Sequence, residues 1–124
     1  RWVHRPRLEW EAAATRHSGD SAASRTFLGV KHILARRRAT AGLHAAHPTK
    51  ILSTGLDAVF AVQRQAPTGA ILCLFNFSEH WQHLSGAWLR ANGVTEFHDG
   101  LSDSAVALHG DQLALPPYAR VWLT

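Results

Sequence analysis

The sequence predicts a mainly β protein, an antiparallel β-sandwich preceded by a loop and one long helix. Three observations carry this. Apolar residues recur at intervals of three and four early in the chain and at intervals of two beyond residue 50. Six or seven short apolar runs follow, separated by turn residues at roughly 8–12-residue spacing, as in a sandwich. The last run, LALPPYARVWLT at 113–124, ends on apolar residues. A chain end is ordered only when something ties it down, and a place in a sheet does so.

Composition agrees with one domain, or one domain plus an appendage. The 124 residues are 46% hydrophobic and 18% charged, enough to bury a core and too apolar for a disordered segment. The longest apolar run, AILCLF at 70–75, is far below the ~20 residues of a membrane helix, so no membrane partner is expected. RWVHRPRLEW at the start has no apolar signal core, and methionine is absent throughout, which reads as a cut inside a longer protein. The composition does not specify a compartment. Cys73 is the sole cysteine and lies in the apolar run, so a buried thiol is expected and a disulfide framework within the chain is excluded.

The net charge of +4 conceals an asymmetry. Residues 1 to 50 hold ten Lys and Arg and three acids, giving +7; residues 51 to 124 hold three bases and six acids, giving −3. The sign changes within AGLHAAHPTK at 41–50, where Gly42 and Pro48 also break the pattern. The expected segments are therefore 1–45 and 46–124.

In the first segment, Asp20 or Ser21 caps a helix over about residues 21–40, with Ala23, Phe27, Val30, Ile33 and Leu34 on its apolar face. Arg36, Arg37 and Arg38 fall in its last turn, where positive charge suits the negative end of the helix dipole. Solvated capping is their expected role. With no basic face along the helix, a nucleic-acid partner is not expected.

The second segment changes period. Asp57–Arg64 and Ala70–Phe77 read as strands joined by a turn at APTG, the second strand apolar on both faces and hence central. Short strands are also expected at Lys50–Thr54, Gln82–Ser85, Glu96–His98, Ala105–His109 and Arg120–Leu123. Pro116 and Pro117 cannot donate to a ladder and mark a bend before the closing strand.

The chemistry-bearing residues form no complete constellation. His44 with His47 and His80 with His83 have a three-residue spacing, but both pairs fall in loop or strand and lack the third and fourth ligands of a closed metal site. No metal and no cofactor are expected. GxSxG, GxGxxG and GxxxxGK[ST] are absent, and a buried Cys73 is no thiolate nucleophile. Glu9 and Glu11, two apart, do not share a helix face as a paired acid and base would on a helix, and are expected in solvent. Of the five tryptophans, Trp122 alternates with core positions and is expected to pack, whereas Trp81 and Trp88 flank a turn, where exposed rings suit sugar stacking.

NFSEH at 76–80 after an apolar strand, with LPPYARVWL closing the chain, resembles the C-terminal sandwich of glycoside hydrolase family 13, the α-amylase family. FLGVKHILARRRA resembles the last helix of that family's (β/α)8 barrel. RWVHRPRLEW with RHSGDS resembles the segment after the eighth barrel strand in amylosucrases and sucrose hydrolases. The resemblance covers essentially the whole chain.

The resemblance implies a parent enzyme acting on sucrose and α-glucan with a retaining mechanism, in which a carboxylate nucleophile and an acid lie about 5–5.5 Å apart. In the family both groups sit on earlier barrel strands, so this chain carries neither catalytic group and is expected to be inert alone, a support for the catalytic barrel. It also implies a substrate-binding role for Arg1, with Arg5 if the register slips: an arginine pairing with a barrel aspartate closes the glucose pocket. The alternative is a stand-alone carbohydrate-binding sandwich using Trp81 and Trp88. Without the barrel, the helix face of Phe27, Val30, Ile33 and Leu34 is expected to drive self-association.

Overall fold

A computed structural model describes residues 7, 9–17 and 19–124. The chain divides into two compact units, Arg1–Ala35 and Arg36–Thr124.

The first unit is helical. A short helix α1, Trp10–Ala14, runs into a 3-10 turn at Thr15–His17, and the long helix α2 spans Ala22–Ala39, with its last four residues in the second unit. Ser21 is the cap: its Oγ accepts the Ser24 backbone N–H at 3.1 Å, satisfying one orphan donor of the first turn. Ser24 is buried and its hydroxyl donates to the Arg16 carbonyl at 3.2 Å. The edge of His17 meets the Phe27 ring at 4.9 Å between centroids, and the Arg16 guanidinium lies 5.3 Å from the same ring. The expected apolar stripe is only half covered: Phe27 and Ile33 are half-buried, whereas Val30 and Leu34 are exposed.

The second unit is built of antiparallel sheets. Its strands are β1 Thr49–Leu52, β2 Val59–Ala66, β3 Gly69–Asn76, β4 Gln82–Ser85, β5 His98–Asp99, β6 Ser104–Ala105, β7 Gln112–Leu115 and β8 Arg120–Leu123. Six form one sheet in the order β1-β2-β3-β8-β5-β6, and β4 pairs with β7 in a second. The prediction of a central apolar strand holds: β3 lies between β2 and β8, with Leu72 and Leu74 fully buried. The closing strand holds too, with Cys73 opposite Trp122 and Leu72 opposite Leu123.

Three elements differ from expectation. Residues 112–115 form a strand beyond those expected, because Leu113 and Leu115 alternate into the core and the segment pairs with β4. Gly86–Ala91 form a helix, α3, which carries Trp88; the strand expected at Gln82–Ser85 is β4, and the turn expected between Trp81 and Trp88 is the start of this helix. The strand expected at Ala105–His109 shrinks to Ser104–Ala105 plus a single bridge from His109 to Gln112, since Gly110 and Asp111, both with positive φ, reverse the chain there.

One hydrophobic cluster joins the inner face of the large sheet (Val59, Ala61, Leu72, Leu74, Leu123) to Leu84 and Leu113 of the small sheet and to Leu89 of α3. Each such side chain taken from water contributes roughly 1.5–3 kcal/mol. Two polar residues organise the loops around this core. The Asn76 amide nitrogen donates to the carbonyls of His80, Leu115 and Pro116 at 2.8, 3.2 and 2.9 Å, and its oxygen accepts from the Ser78 backbone and hydroxyl. Asp99 is 6% exposed and accepts from the backbone N–H groups of Leu101, Ser102 and Trp122 and from the Ser102 hydroxyl.

Candidate functional site

The strand period decides which residues of the large sheet face away from the core. On β2 these are Phe60, Val62 and Arg64; on β3 Ile71, Cys73 and Phe75; on β8 Arg120 and Trp122. The fit of small to large closes one end of this outer face. The 3-10 turn Ala41–Leu43 lies over it, and Gly42 approaches so closely that a Cβ there would stand 2.3 Å from Ile71 Cδ1. A side chain there would have to displace Ile71 or lift the turn.

The rest of the face is open and aromatic. Phe60 and Phe75 are register partners with ring centroids 6.2 Å apart, and Phe77 stacks on Phe75 at 6.3 Å. Phe77 is 70% exposed and Phe60 41%, and Ile51 on the neighbouring β1 is also exposed. A groove of about 370 Å³ is lined by the Phe60 and Phe75 rings, Leu43, Cys73, Trp122, Arg37 and Arg64. Arg64 donates to the Thr49 hydroxyl and the His44 carbonyl, which fixes its guanidinium at the rim. Cys73 is buried, as expected; burial, only partly offset by nearby Arg64, pushes its thiol up to about 11, so it carries no thiolate chemistry at neutral pH. Trp122 is buried, a packing residue.

The arginine triplet at the end of α2 is not uniformly solvated. Arg36 turns inward: its Nε donates to the Gly100 carbonyl at 2.7 Å and its guanidinium grips the Asp103 carboxylate with two contacts of 3.0 Å. Those hydrogen bonds, with a further one from His98 at 3.2 Å and the charge of Arg36, hold the Asp103 carboxyl below the usual carboxylate range. Tertiary pairing explains the departure from simple capping, since the carbonyl and carboxylate come from a loop more than sixty residues away.

Other candidates disperse. His44 and His47 meet edge to face at 6.0 Å, and among the described residues no three His, Cys, Asp or Glu side chains converge as metal ligands. Glu9 and Glu11 are exposed. Trp88 is half-buried and packs on the core from α3, whereas Trp81 is 59% exposed. Arg1 and Arg5 lie outside the described residues. Sequence reasoning missed the outer aromatic face because Phe60, Phe75 and Phe77 sit in strands that read as core. Their odd spacing from Ala61 and Leu74 was the available signal.

The family model of the amylosucrase C-terminal domain matches residues 50–124, from the second residue of β1 through β8 to the last residue. The chain belongs to the amylosucrase C-terminal domain family. The match covers both sheets and α3, and with them the aromatic outer face and the Asn76 and Asp99 loops. Within an amylosucrase-like protein, a domain of this kind is associated with a catalytic domain.

Proposed function

We propose that this chain is the C-terminal segment of a sucrose-acting glucosyltransferase or hydrolase of the α-amylase family with retaining α-glucoside chemistry. Residues 46–124 are its sandwich domain and residues 1–45 the loop after the eighth barrel strand with the last barrel helix. The segment is inert alone and supports the barrel. The observation that carries this reading is the aromatic row on the outer face of the large sheet, in which exposed Phe60 and Phe77 flank half-buried Phe75, with exposed Ile51 beside it. Contiguous aromatic surface with an arginine at its edge is the composition of an interface core, not of a solvated sheet. Arg1, or Arg5, closes the glucose pocket of the parent by pairing with a barrel carboxylate.

The test compares fructose release from sucrose by the full-length parent and by the chain itself. The parent turns sucrose over and the chain does not. Phe60→Ser with Phe77→Ser in the parent lowers the temperature of inactivation while leaving KM for sucrose unchanged. Arg1→Ala lowers kcat/KM for sucrose without that thermal loss. Light scattering on the chain alone shows concentration-dependent association through the helix face that exposes Val30 and Leu34 and through the aromatic row. A monodisperse monomer at high concentration, or a parent indifferent to the double serine change, overturns the docking role.

A further inference from the structure

The triplet Asn76-Phe77-Ser78 begins at the last residue of β3 and is the one Asn-X-Ser/Thr sequence in the chain. With X other than proline, such a triplet is the acceptor of an N-linked oligosaccharide, and its ordinary place is a surface loop. Its local shape is already assembled. The Asn76 side-chain oxygen accepts the Ser78 backbone N–H at 3.0 Å and the Ser78 hydroxyl at 2.8 Å, an Asx turn that holds asparagine and hydroxyl together.

The nitrogen that would take the sugar is engaged elsewhere. Nδ2 carries two protons and donates to three carbonyls, those of His80 at 2.8 Å, Leu115 at 3.2 Å and Pro116 at 2.9 Å. Asn76 is 2% exposed, so a sugar on Nδ2 replaces one of those protons and has no way out to solvent. Only the His80 carbonyl is close in sequence. The Leu115 and Pro116 carbonyls lie 39 and 40 residues further on, so Nδ2 is fully engaged only once the end of β7 and the turn after it are in place.

We propose that Asn76 is an acceptor site for an N-linked oligosaccharide in the unfolded chain alone, so that glycosylation and folding exclude each other. The donor is an oligosaccharide joined through its anomeric carbon to a polyprenyl pyrophosphate and presented by an oligosaccharyltransferase. Nδ2 attacks that carbon. A C–N bond forms as the C–O bond to the pyrophosphate breaks, the polyprenyl pyrophosphate leaves, and Nδ2 gives up one proton. The glycosylated amide keeps a single N–H for three carbonyls, and with the sugar attached the end of β3 cannot close on the end of β7.

The test offers the full chain to a purified oligosaccharyltransferase specific for Asn-X-Ser/Thr, with a short oligosaccharide on polyprenyl pyrophosphate, and reads the mass gained and the circular dichroism. Leu123→Asp sets a carboxylate at a fully buried position and unfolds the chain. Native wild type is modified about a hundredfold more slowly than Leu123→Asp, because only its rare open form reacts. Asp99→Ala, which loses the acceptor of four hydrogen bonds yet folds, falls between the two. Ser78→Ala within the Leu123→Asp chain abolishes the modification, which assigns it to Asn76. The glycosylated fraction of Asp99→Ala lacks the cooperative urea transition that its unmodified fraction keeps. Any one of four results overturns the proposal: native wild type modified as fast as Leu123→Asp, Leu123→Asp left unmodified, modification that survives Ser78→Ala, or a glycosylated fraction with an unchanged urea midpoint.

Discussion

Replacing Asp99 by alanine removes the acceptor of four hydrogen bonds at the junction of β5, the following loop and β8. Leu101 and Trp122 donate backbone N–H groups to Oδ1 at 3.0 and 2.8 Å, and Ser102 donates its N–H and hydroxyl to Oδ2 at 3.1 and 2.6 Å. The Ser102 hydroxyl has Ser104 Oγ at 2.8 Å as a second partner, so it is not stranded. The Trp122 donor belongs to a buried residue and loses its acceptor. At about 1–3 kcal/mol for a buried donor left unpaired, with about 1 kcal/mol for the other hydrogen bonds lost, Asp99→Ala costs about 3 kcal/mol. With a urea m-value of about 1.5 kcal/mol per molar for a small domain, the midpoint falls by about 2 M. The carboxylate also sets a pH signature. Burial raises the Asp99 pKa, but the Ser102 hydroxyl and the three backbone donors outweigh it, so the folded-state value lies below the ordinary one. A depressed folded-state pKa gives stability that is fully present above the unfolded value, about 3.9, and is lost as pH falls through the folded value. Urea titrations of wild type and Asp99→Asn at several pH values check this. The gap between them is full at pH 6 and narrows only as pH drops below about 4. A gap under about 0.5 kcal/mol at pH 6, or one that widens in acid, refutes the assignment of Asp99 as an anchor of β8.

Asn76→Ala frees three carbonyls and two Ser78 donors in the loops around β3 and costs about 2–4 kcal/mol, read from the urea midpoint; Asn76→Asp costs a similar amount, because a carboxylate cannot donate to those carbonyls. Cys73, with its thiol raised to about 11 by burial, reacts with an aromatic disulfide at pH 8 at least a hundredfold more slowly in the native chain than in urea. Comparable rates in the two states place Cys73 outside the sheet.

The elements written most plainly in the sequence are those with long, unambiguous periods. The spacing around Phe27, Val30 and Leu34 gives α2 to within a residue or two, and the run from Ala70 gives β3, because one helical face and one apolar strand each need only local pattern. α3 begins at Gly86, a weak helix former, and exists because Leu89 enters the core and the Asp111 carbonyl receives the Gly86 N–H at 2.7 Å. That contact is tertiary and leaves no local trace. The same holds for Asp99: in HDGLSD it reads as a turn residue, and its bond to Trp122 appears only when β8 is laid beside β5. For the candidate surfaces, composition pointed to tryptophans, yet the exposed row is phenylalanine, and of the Trp81 and Trp88 pair one ring stays in solvent while the other packs on the core. Face assignment within a strand rests on register, which one sequence fixes only when alternation is strict.

The strand order carries a consequence for synthesis. β3 ends at Asn76 and its second neighbour β8 begins at Arg120, while β5 and β6 join the sheet only through β8. At translation rates of about 5–20 residues per second, the β1–β2–β3 meander leaves the ribosome roughly 2–9 s before β8. During that interval an apolar β3 edge stands open, with the aromatic row of β2 and β3 beside it, a template for pairing with a neighbouring nascent chain. Chaperone demand in expression should therefore follow the interval between residues 76 and 120, and moving β8 ahead of β1 by circular permutation is the change that shortens it.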